Sequence, residues 1–143
     1  MGAESLFGWC GRLVLPGWLL LVVLPRWRGT QWIAGLTIPV LLGAVYLGLI
    51  LGHFPGAEGG FGSLAEVARL FQSEWLLLAG WVHYLAFDLF IGGWEVRDAR
   101  RLGIHHLLVV PCLALTFMFG PVGLLLYFGL RAALRRRLQV AEA

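Results

Sequence analysis

The chain has 143 residues, of which 59% are hydrophobic and 13% are charged, and its formal net charge is +3. Soluble domains carry about a quarter charged residues, so this composition excludes an ordinary soluble domain and indicates one integral membrane domain over residues 1–143. All 11 basic residues are arginines, and they flank apolar runs. That pattern is typical of charge at membrane surfaces and argues against nucleic-acid binding.

We predict an all-α polytopic fold: a four-helix transmembrane bundle with a short interfacial helix between spans two and three. The first two spans cover about residues 6–25 and 31–52. Pro39 is expected to kink the second span. Small residues recur at every fourth position of that span, at Ala44, Gly48 and Gly52. This spacing favours close helix packing, first within the chain and second in a homo-oligomer.

The connection between spans two and three is polar and contains one helix signal. Residues 53–62, HFPGAEGGFG, break any helix with their proline and glycines. The stretch Ser63 to Phe71 is amphipathic, and Ser63 with Glu66 has the spacing of a capping box. We expect a short helix that lies in the membrane interface, because the segment is too short and too polar to span.

The last two spans cover about residues 74–95 and 104–130, and the final one is long enough to tilt or kink at Pro111 or at Gly120-Pro121. An even number of spans places both termini on one side of the membrane. The arginines divide almost equally between the two sides, and the dense RAALRRR tail favours cytoplasmic termini.

The third span carries two titratable residues, His83 and Asp88, among apolar neighbours. A charge at the centre of a membrane helix costs about 2.5–3.5 kcal/mol, so both side chains are expected to face protein. Five residues rotate a helix by about 140° net, so the two do not share a face. His83 is either a neutral imidazole bonded to a backbone carbonyl or a catalytic group, and Asp88 is either a protonated or paired carboxyl or a catalytic group.

Aromatic residues accompany both candidates along the third span. Trp81 and Tyr84 share the face of Asp88, and Trp94 shares the face of His83. These three side chains are candidate contacts for a long, flat, apolar substrate. The alternative is an aromatic belt at the membrane interface together with ordinary core packing.

Glu95, Asp98, His105 and His106 have the ligand chemistry of a divalent metal site, but their spacing is a weak signal. Neighbouring histidines point about 100° apart on a helix, so one alone would normally be a ligand. The charges from Glu95 to Arg101 are better explained by a solvated, self-neutralising loop. We therefore predict no metal and no cofactor.

Three segments together resemble one family: PGWLLLVVLPRWRGTQW, GWVHYLAFDLFIGGWEVRDARR and LTFMFGPVGLLLYFGLR. The sequence resembles, over nearly its whole length, the abscisic-acid-deficient-four-like membrane family. Its plant members are plastid membrane proteins required for neoxanthin formation from violaxanthin, and many other members are bacterial. The N-terminus has neither a signal peptide nor a transit peptide pattern, so we expect a bacterial inner membrane.

The resemblance implies a carotenoid or another isoprenoid as the ligand, alongside the lipid bilayer. Forming neoxanthin opens an epoxide and removes a neighbouring C–H proton, which is an isomerisation without a redox cofactor. In an enzyme of this kind a protonated Asp88 would be the acid and a neutral His83 the base. The alternative is a non-enzymatic scaffold that binds lipid or carotenoid, in which the two residues lock helices together.

Overall fold

The computed structural model of the chain describes residues 2–135, and no strand occurs within them. The all-helical class is therefore confirmed. A π-helical turn at Ile33–Thr37 joins the second and third helices. The α-helices are α1 (Ala3–Val23), α2 (Arg28–Trp32), α3 (Ile38–His53), α4 (Leu64–Leu70), α5 (Glu74–Arg101), α6 (His106–Phe119) and α7 (Pro121–Arg135).

Three helical segments are long and apolar enough to cross a membrane: α1, the continuous stretch Arg28–His53, and α5. They correspond to the first three predicted spans. The main difference in their bounds is that α5 ends at Arg101 and not at residue 95. The charges from Glu95 to Arg101 are therefore helical, and the prediction of a solvated loop there was wrong.

α5 is the central helix, and glycines allow the other helices to approach it closely. A Cβ atom at Gly17 of α1 would lie 2.8 Å from the Leu89 side chain of α5, so this position has no room for one. Gly93 faces Gly35 of the π-helical turn, whose Cα atom would lie 3.0 Å from an added Cβ. Such small residues let membrane helices pack backbone against backbone.

The stripe of Ala44, Gly48 and Gly52 does not take part in this packing. All three residues are exposed, and a Cβ atom at Gly48 or Gly52 would meet no described atom within 4 Å. The prediction that the stripe packs within the chain was wrong, because α3 turns a different face towards α5. Contact through the stripe in a homo-oligomer stays a prediction.

The second span is irregular immediately before Pro39, in keeping with the predicted kink. The proline has no N–H to donate to the carbonyl four residues earlier, and the helix widens to a π-helical turn at Ile33–Thr37. The Thr37 hydroxyl donates to the Trp32 carbonyl at 2.8 Å within this turn. The widening also brings Gly35 against α5.

The predicted fourth span is broken at Gly120 into α6 and α7, which fold back on each other as a hairpin. α6 begins beside the end of α1, where Nε2 of His106 lies 2.9 Å from the Val22 carbonyl. It ends beside the middle of α5, where the Phe117 carbonyl accepts a hydrogen bond from Tyr84. α7 then returns, because Tyr127 contacts Asp98 near the end of α5.

Gly120 and Pro121 explain why the chain reverses there. Gly120 has φ of 48°, a left-handed conformation that glycine adopts without a steric penalty. Pro121 begins α7, where its missing N–H and fixed φ suit a first helical position. Gly123 then packs directly on α6, because a Cβ atom there would overlap the backbone nitrogen and hydroxyl of Thr116.

The two arms of the hairpin have 14 and 15 residues. At about 1.5 Å per residue each arm is roughly 21–22 Å long, short of the roughly 30 Å hydrocarbon core. α7 runs antiparallel to α6, so its far end returns to the side on which α6 begins. The expectation of both termini on one side therefore fails, and Arg136 and Arg137 of the predicted basic tail lie outside the described residues.

α4 forms where the sequence predicts a short helix. The Ser63 hydroxyl accepts a hydrogen bond from the Glu66 backbone at 3.2 Å, as in a capping box. The Glu66 carboxylate accepts from Gly62 at 3.0 Å, one residue before the expected Ser63 donor. The position of α4 in the membrane interface stays a prediction.

Engineered cysteines distinguish the hairpin from a fourth crossing. We expect a cysteine in Leu134→Cys to react with a membrane-impermeant maleimide from the same side as one in Arg26→Cys, and from the side opposite to one in Ser63→Cys. The unmodified chain is the control, since Cys10 and Cys112 are buried. Labelling of Leu134→Cys from the Ser63 side would mean that α6 and α7 together cross the membrane.

Gly123→Ala tests the close packing of the two arms. The added methyl group has no room against Thr116, and overpacking of this kind costs about 1–3 kcal/mol. We expect a lower thermal unfolding midpoint for the purified variant in detergent. Gly129→Ala, in the same helix with no described atom within 4 Å, should leave the midpoint nearly unchanged, and equal effects of the two variants would contradict the packing.

Candidate functional site

Three carboxylates lie along the face of α5 that the hairpin covers. They are Asp88, Glu95 and Asp98, separated by seven and three residues, and this spacing places them on one face of a helix. The hairpin meets them at three levels: its tip at Asp88, the middle of α6 at Glu95, and the return of α7 at Asp98.

Asp98 ties α7 to α5 through two buried groups. Its Oδ2 atom accepts a hydrogen bond from the Tyr127 hydroxyl at 2.7 Å and lies 3.1 Å from Nε of Arg131. Arg101, one turn further along α5, lies 3.4 Å from Oδ1. Asp98 is 4% exposed and Arg131 is 1% exposed. Removing either partner would leave the other charge buried without its counter-charge, which is costly.

Glu95 is fully buried and faces α6. The Thr116 hydroxyl lies 3.0 Å and 3.2 Å from its two carboxyl oxygens and donates to them. Thr116 is the residue on which Gly123 packs. Glu95 and Thr116 therefore link α5 to α6 at the level where the two arms of the hairpin are closest.

Asp88 occupies a different environment at the tip of the hairpin, where it is half-buried. A Cβ atom at Gly120 would lie 2.8 Å from its Oδ1 atom, so the carboxyl group packs on the turn that a glycine leaves open. Tyr84 lies one helical turn away on the same face of α5. The Oδ2 atom is buried and has no hydrogen-bond partner within residues 2–135.

Tyr84 contacts one lining residue from each of two grooves, of which one is almost wholly apolar and the other also has two glutamates in its lining. Its ring stacks on Trp81 with centroids 5.4 Å apart, and Trp81 lines a groove of about 490 Å³ between α1 and the start of α5. Its hydroxyl donates to the Phe117 carbonyl at 3.3 Å, and Phe117 lines a groove of about 670 Å³ between α1 and α6. Tyr84 therefore connects Asp88, one helical turn away, to one lining residue of each groove.

His83 lies away from this pair. It is exposed on the outer surface of α5, with its ring 5.6 Å from Tyr46 and 4.6 Å from Phe87, measured between centroids. The expectation that it faces the interior was wrong, because α3 covers only one side of the helix at this level. The structure therefore brings Asp88 and Tyr84 together and leaves His83 on another face.

The predicted aromatic contacts occupy different surroundings. Trp81 is 40% exposed and packs on Phe7 of α1, with centroids 5.6 Å apart. Trp94 packs on the returning arm of the hairpin, with Tyr127 and Phe128 at 5.5 Å and 5.7 Å. Trp81 is thus available to a ligand near Asp88, whereas Trp94 supports α7.

The weak metal candidates have other partners. Glu95 and Asp98 are engaged by the hairpin, His106 contacts the Val22 carbonyl, and His105 is exposed at the start of α6. Within residues 2–135, no group of three histidine, cysteine, aspartate or glutamate side chains comes together as metal ligands would.

Sequence reasoning missed four residues that the site depends on: Thr116, Gly123, Tyr127 and Arg131. Hydropathy hides them, because they lie in an apolar run that looks like one crossing. The available signal was Gly120-Pro121 at the middle of that run, since a glycine followed by a proline is typical of a helix end followed by a new helix start.

Comparisons with known proteins agree on one family. The model for the family described as ABA DEFICIENT 4-like matches residues 5–127. Protein ABA DEFICIENT 4, chloroplastic, from Arabidopsis thaliana is 26% identical over 146 residues, which cover 94% of this chain. The chain spans 64% of the length of that plant protein. No solved structure matches the chain.

Removing the charge of Asp98 tests its role in holding the hairpin. Asp98→Asn leaves Arg131 buried beside a neutral amide, and breaking a buried pair from one side costs about 3–5 kcal/mol. We expect a clear drop in the unfolding midpoint of the purified protein. Glu74→Gln removes an exposed carboxylate from the same helix and should change the midpoint little. Equal midpoints for the two variants would contradict a structural role for Asp98.

Proposed function

The chain belongs to the ABA DEFICIENT 4-like family, and from this premise we propose that it binds a carotenoid or another isoprenoid in the membrane and isomerises it by acid–base chemistry. One observation carries the proposal: a carboxyl oxygen of Asp88 lies buried without a hydrogen-bond partner within residues 2–135. Tyr84, one helical turn away, contacts Trp81 and Phe117, and each of these two residues lines a groove. Buried polar atoms normally have a hydrogen-bond partner. The unpartnered carboxyl oxygen of Asp88 is therefore suited to bind a polar group of a ligand.

The shape of the surroundings supports a long apolar ligand. The groove between α1 and α6 is lined almost wholly by apolar side chains, including Leu15, Leu19 and Leu113. The groove at the start of α5 adds the rings of Phe7 and Trp81. Mostly apolar pockets with a few placed polar groups are usual for small-molecule sites. A polyene would lie in the grooves with its oxygen-bearing end at Tyr84 and Asp88.

The chemistry requires one proton donor and one proton acceptor, and the adjacent pair supplies both. For an epoxide substrate, the Tyr84 hydroxyl donates its proton to the oxygen as the C–O bond breaks. The Asp88 carboxylate accepts the proton that leaves the neighbouring carbon as the new C=C bond forms. Asp88 then returns a proton to the Tyr84 phenolate, so the product is an isomer and no redox cofactor takes part.

This assignment differs from the pair that the sequence predicts, in which His83 is the base. His83 lies on the outer face of α5 next to Tyr46 and Phe87, and a substrate at Asp88 would have to wrap around the helix to reach it. A general base acts within hydrogen-bond reach of the proton it removes. We therefore assign the base to Asp88 and the acid to Tyr84.

The membrane is proposed to be a bacterial inner membrane, as the sequence predicts, whereas the name of the plant relative places that relative in the chloroplast. Cell fractionation of the native host, with the protein followed by antibody, tests this location. Recovery with the inner membrane is the expected result, and recovery in a plastid membrane would contradict it.

A second candidate function is binding without conversion. The links of Asp98 to Arg131 and of Glu95 to Thr116 are purely structural contacts between α5 and the hairpin. The contact of Asp88 with Gly120 could serve the same purpose at the tip. In that case the grooves would hold a carotenoid or lipid, and the protein would be a scaffold.

Asp88→Asn is the decisive variant for conversion. We expect it to reduce product formation by about a hundredfold or more, the range for loss of a general base, in a carotenoid-producing host that accumulates violaxanthin. Tyr84→Phe should reduce it similarly. His83→Gln is the matched control on the same helix and should retain activity. Pigments are measured by chromatography of extracts, with the membrane level of each variant measured in parallel.

The outcomes separate the two functions. Loss of product at an unchanged protein level supports the isomerase. If the unaltered chain yields no product but carotenoid copurifies with it, the scaffold is favoured and the isomerase is contradicted. If Asp88→Asn still forms product and His83→Gln does not, then the general base is His83 and not Asp88.

A further inference from the structure

The exposed acids of the described chain lie at one end of the molecule, and most of its exposed arginines lie at the other; the exceptions are Arg12 within α1 and Arg69 in α4. The exposed arginines where α1 and α5 end and α2 begins are Arg26, Arg28, Arg100 and Arg101. The exposed acids lie at the opposite end, at the start of α1, in the connection after α3, in α4 and at the start of α5; they are Glu4, Glu58, Glu66 and Glu74. Asp98, the acid nearest the arginines, is buried and engaged by Arg131.

A cleft of about 260 Å³ opens in the arginine-rich end, between the turn after α1 and the turn from α5 to α6. Arg26, Arg100, His105 and His106 line it, together with apolar residues such as Ile104. None of its lining residues is acidic. The cleft therefore presents hydrogen-bond donors of arginine and histidine side chains next to apolar side chains.

Two hydrogen bonds hold the walls of this cleft in place. An Arg100 Nη atom donates to the Pro25 carbonyl at 3.1 Å, and Nε2 of His106 lies 2.9 Å from the Val22 carbonyl. A guanidinium group has five N–H donors, so Arg100 keeps donors for a ligand. Within residues 2–135, Arg26 makes neither a hydrogen bond nor an ion pair.

The cleft lies at the depth of lipid headgroups, because it is formed by helix ends. Trp27 and Trp32, on the same end, are 52% and 66% exposed, and tryptophan is enriched at the membrane–water interface. Basic pockets between membrane helices at this depth bind the headgroups of anionic lipids. By the positive-inside rule, the arginine excess predicts that this end faces the cytoplasm.

We propose that this cleft binds the phosphate headgroup of an anionic phospholipid from the cytoplasmic leaflet, with Arg26 and Arg100 contacting the phosphate. The lipid's acyl chains run along the exposed apolar side chains at the start of α6, Leu107 and Leu108. This site lies at the other end of the molecule from the opening beside Phe7 and Trp81, and it is independent of any activity at Asp88.

The test is native mass spectrometry of the full chain released from nanodiscs that contain equal amounts of phosphatidylglycerol and phosphatidylcholine. We expect the unaltered protein to retain phosphatidylglycerol preferentially. Arg26→Gln and Arg100→Gln should each lower that preference about fivefold, the effect of one basic residue near an anionic surface. Arg69→Gln, at the acidic end, is the matched control and should leave the preference unchanged.

Arg100 also donates a hydrogen bond to the Pro25 carbonyl, so Arg100→Gln can fail to fold for that reason alone. In that case the result for Arg26→Gln tests the lipid site. An unchanged preference in Arg26→Gln, or an equal loss in Arg69→Gln, would overturn the site. Competition with glycerol phosphate distinguishes the lipid from a free phosphate. Displacement of the lipid only at a large excess supports a lipid site, and displacement at equal concentration overturns it.

Discussion

The buried contact between Asp98 and Arg131 determines where the hairpin stops. Asp98 lies near the end of α5, accepts a hydrogen bond from Tyr127 of α7 and forms an ion pair with Arg131 of the same helix. An unpaired arginine at this depth would be costly, so the pair holds α7 at one height along α5. The height of α7 in turn places Gly120, the first residue before it, beside Asp88.

The lengths of the two helices agree with this register. From Asp98 back to Asp88 is ten residues of α5, or about 15 Å, and from Arg131 back to Gly120 is eleven residues, or about 16 Å. Contacts at both ends of parallel helices can therefore form together without distortion. The ion pair of Asp98 with Arg131 and the contact of Asp88 with Gly120 therefore both depend on the same position of α7 along α5. A shift of α7 by one turn would break both.

Much of this fold follows from the sequence, and the largest exception is the hairpin of α6 and α7. Composition and apolar run length predict the helical class and the first three spans, and Ser63 with Glu66 predicts the start of α4. Helical geometry alone also separates His83 from Asp88. Hydropathy cannot identify the hairpin, because two short apolar helices and one long transmembrane helix have the same mean hydropathy over this stretch of sequence. For the same reason Glu95 and Asp98 resemble a solvated loop until Thr116 and Arg131 are known to face them.

The hairpin also explains how the carboxyl group of Asp88 can lie in an apolar environment. Non-helical backbone at membrane depth is tolerated where protein encloses it, and Gly120 is buried against α5. Because the arms enter from the arginine-rich end and stop at Asp88, the stretch of α5 from Glu74 to Trp81 has no hairpin cover. The groove beside Phe7 and Trp81 occupies that uncovered stretch. The uncovered stretch thus leaves Trp81 exposed beside this groove, and Trp81 stacks on Tyr84 next to Asp88.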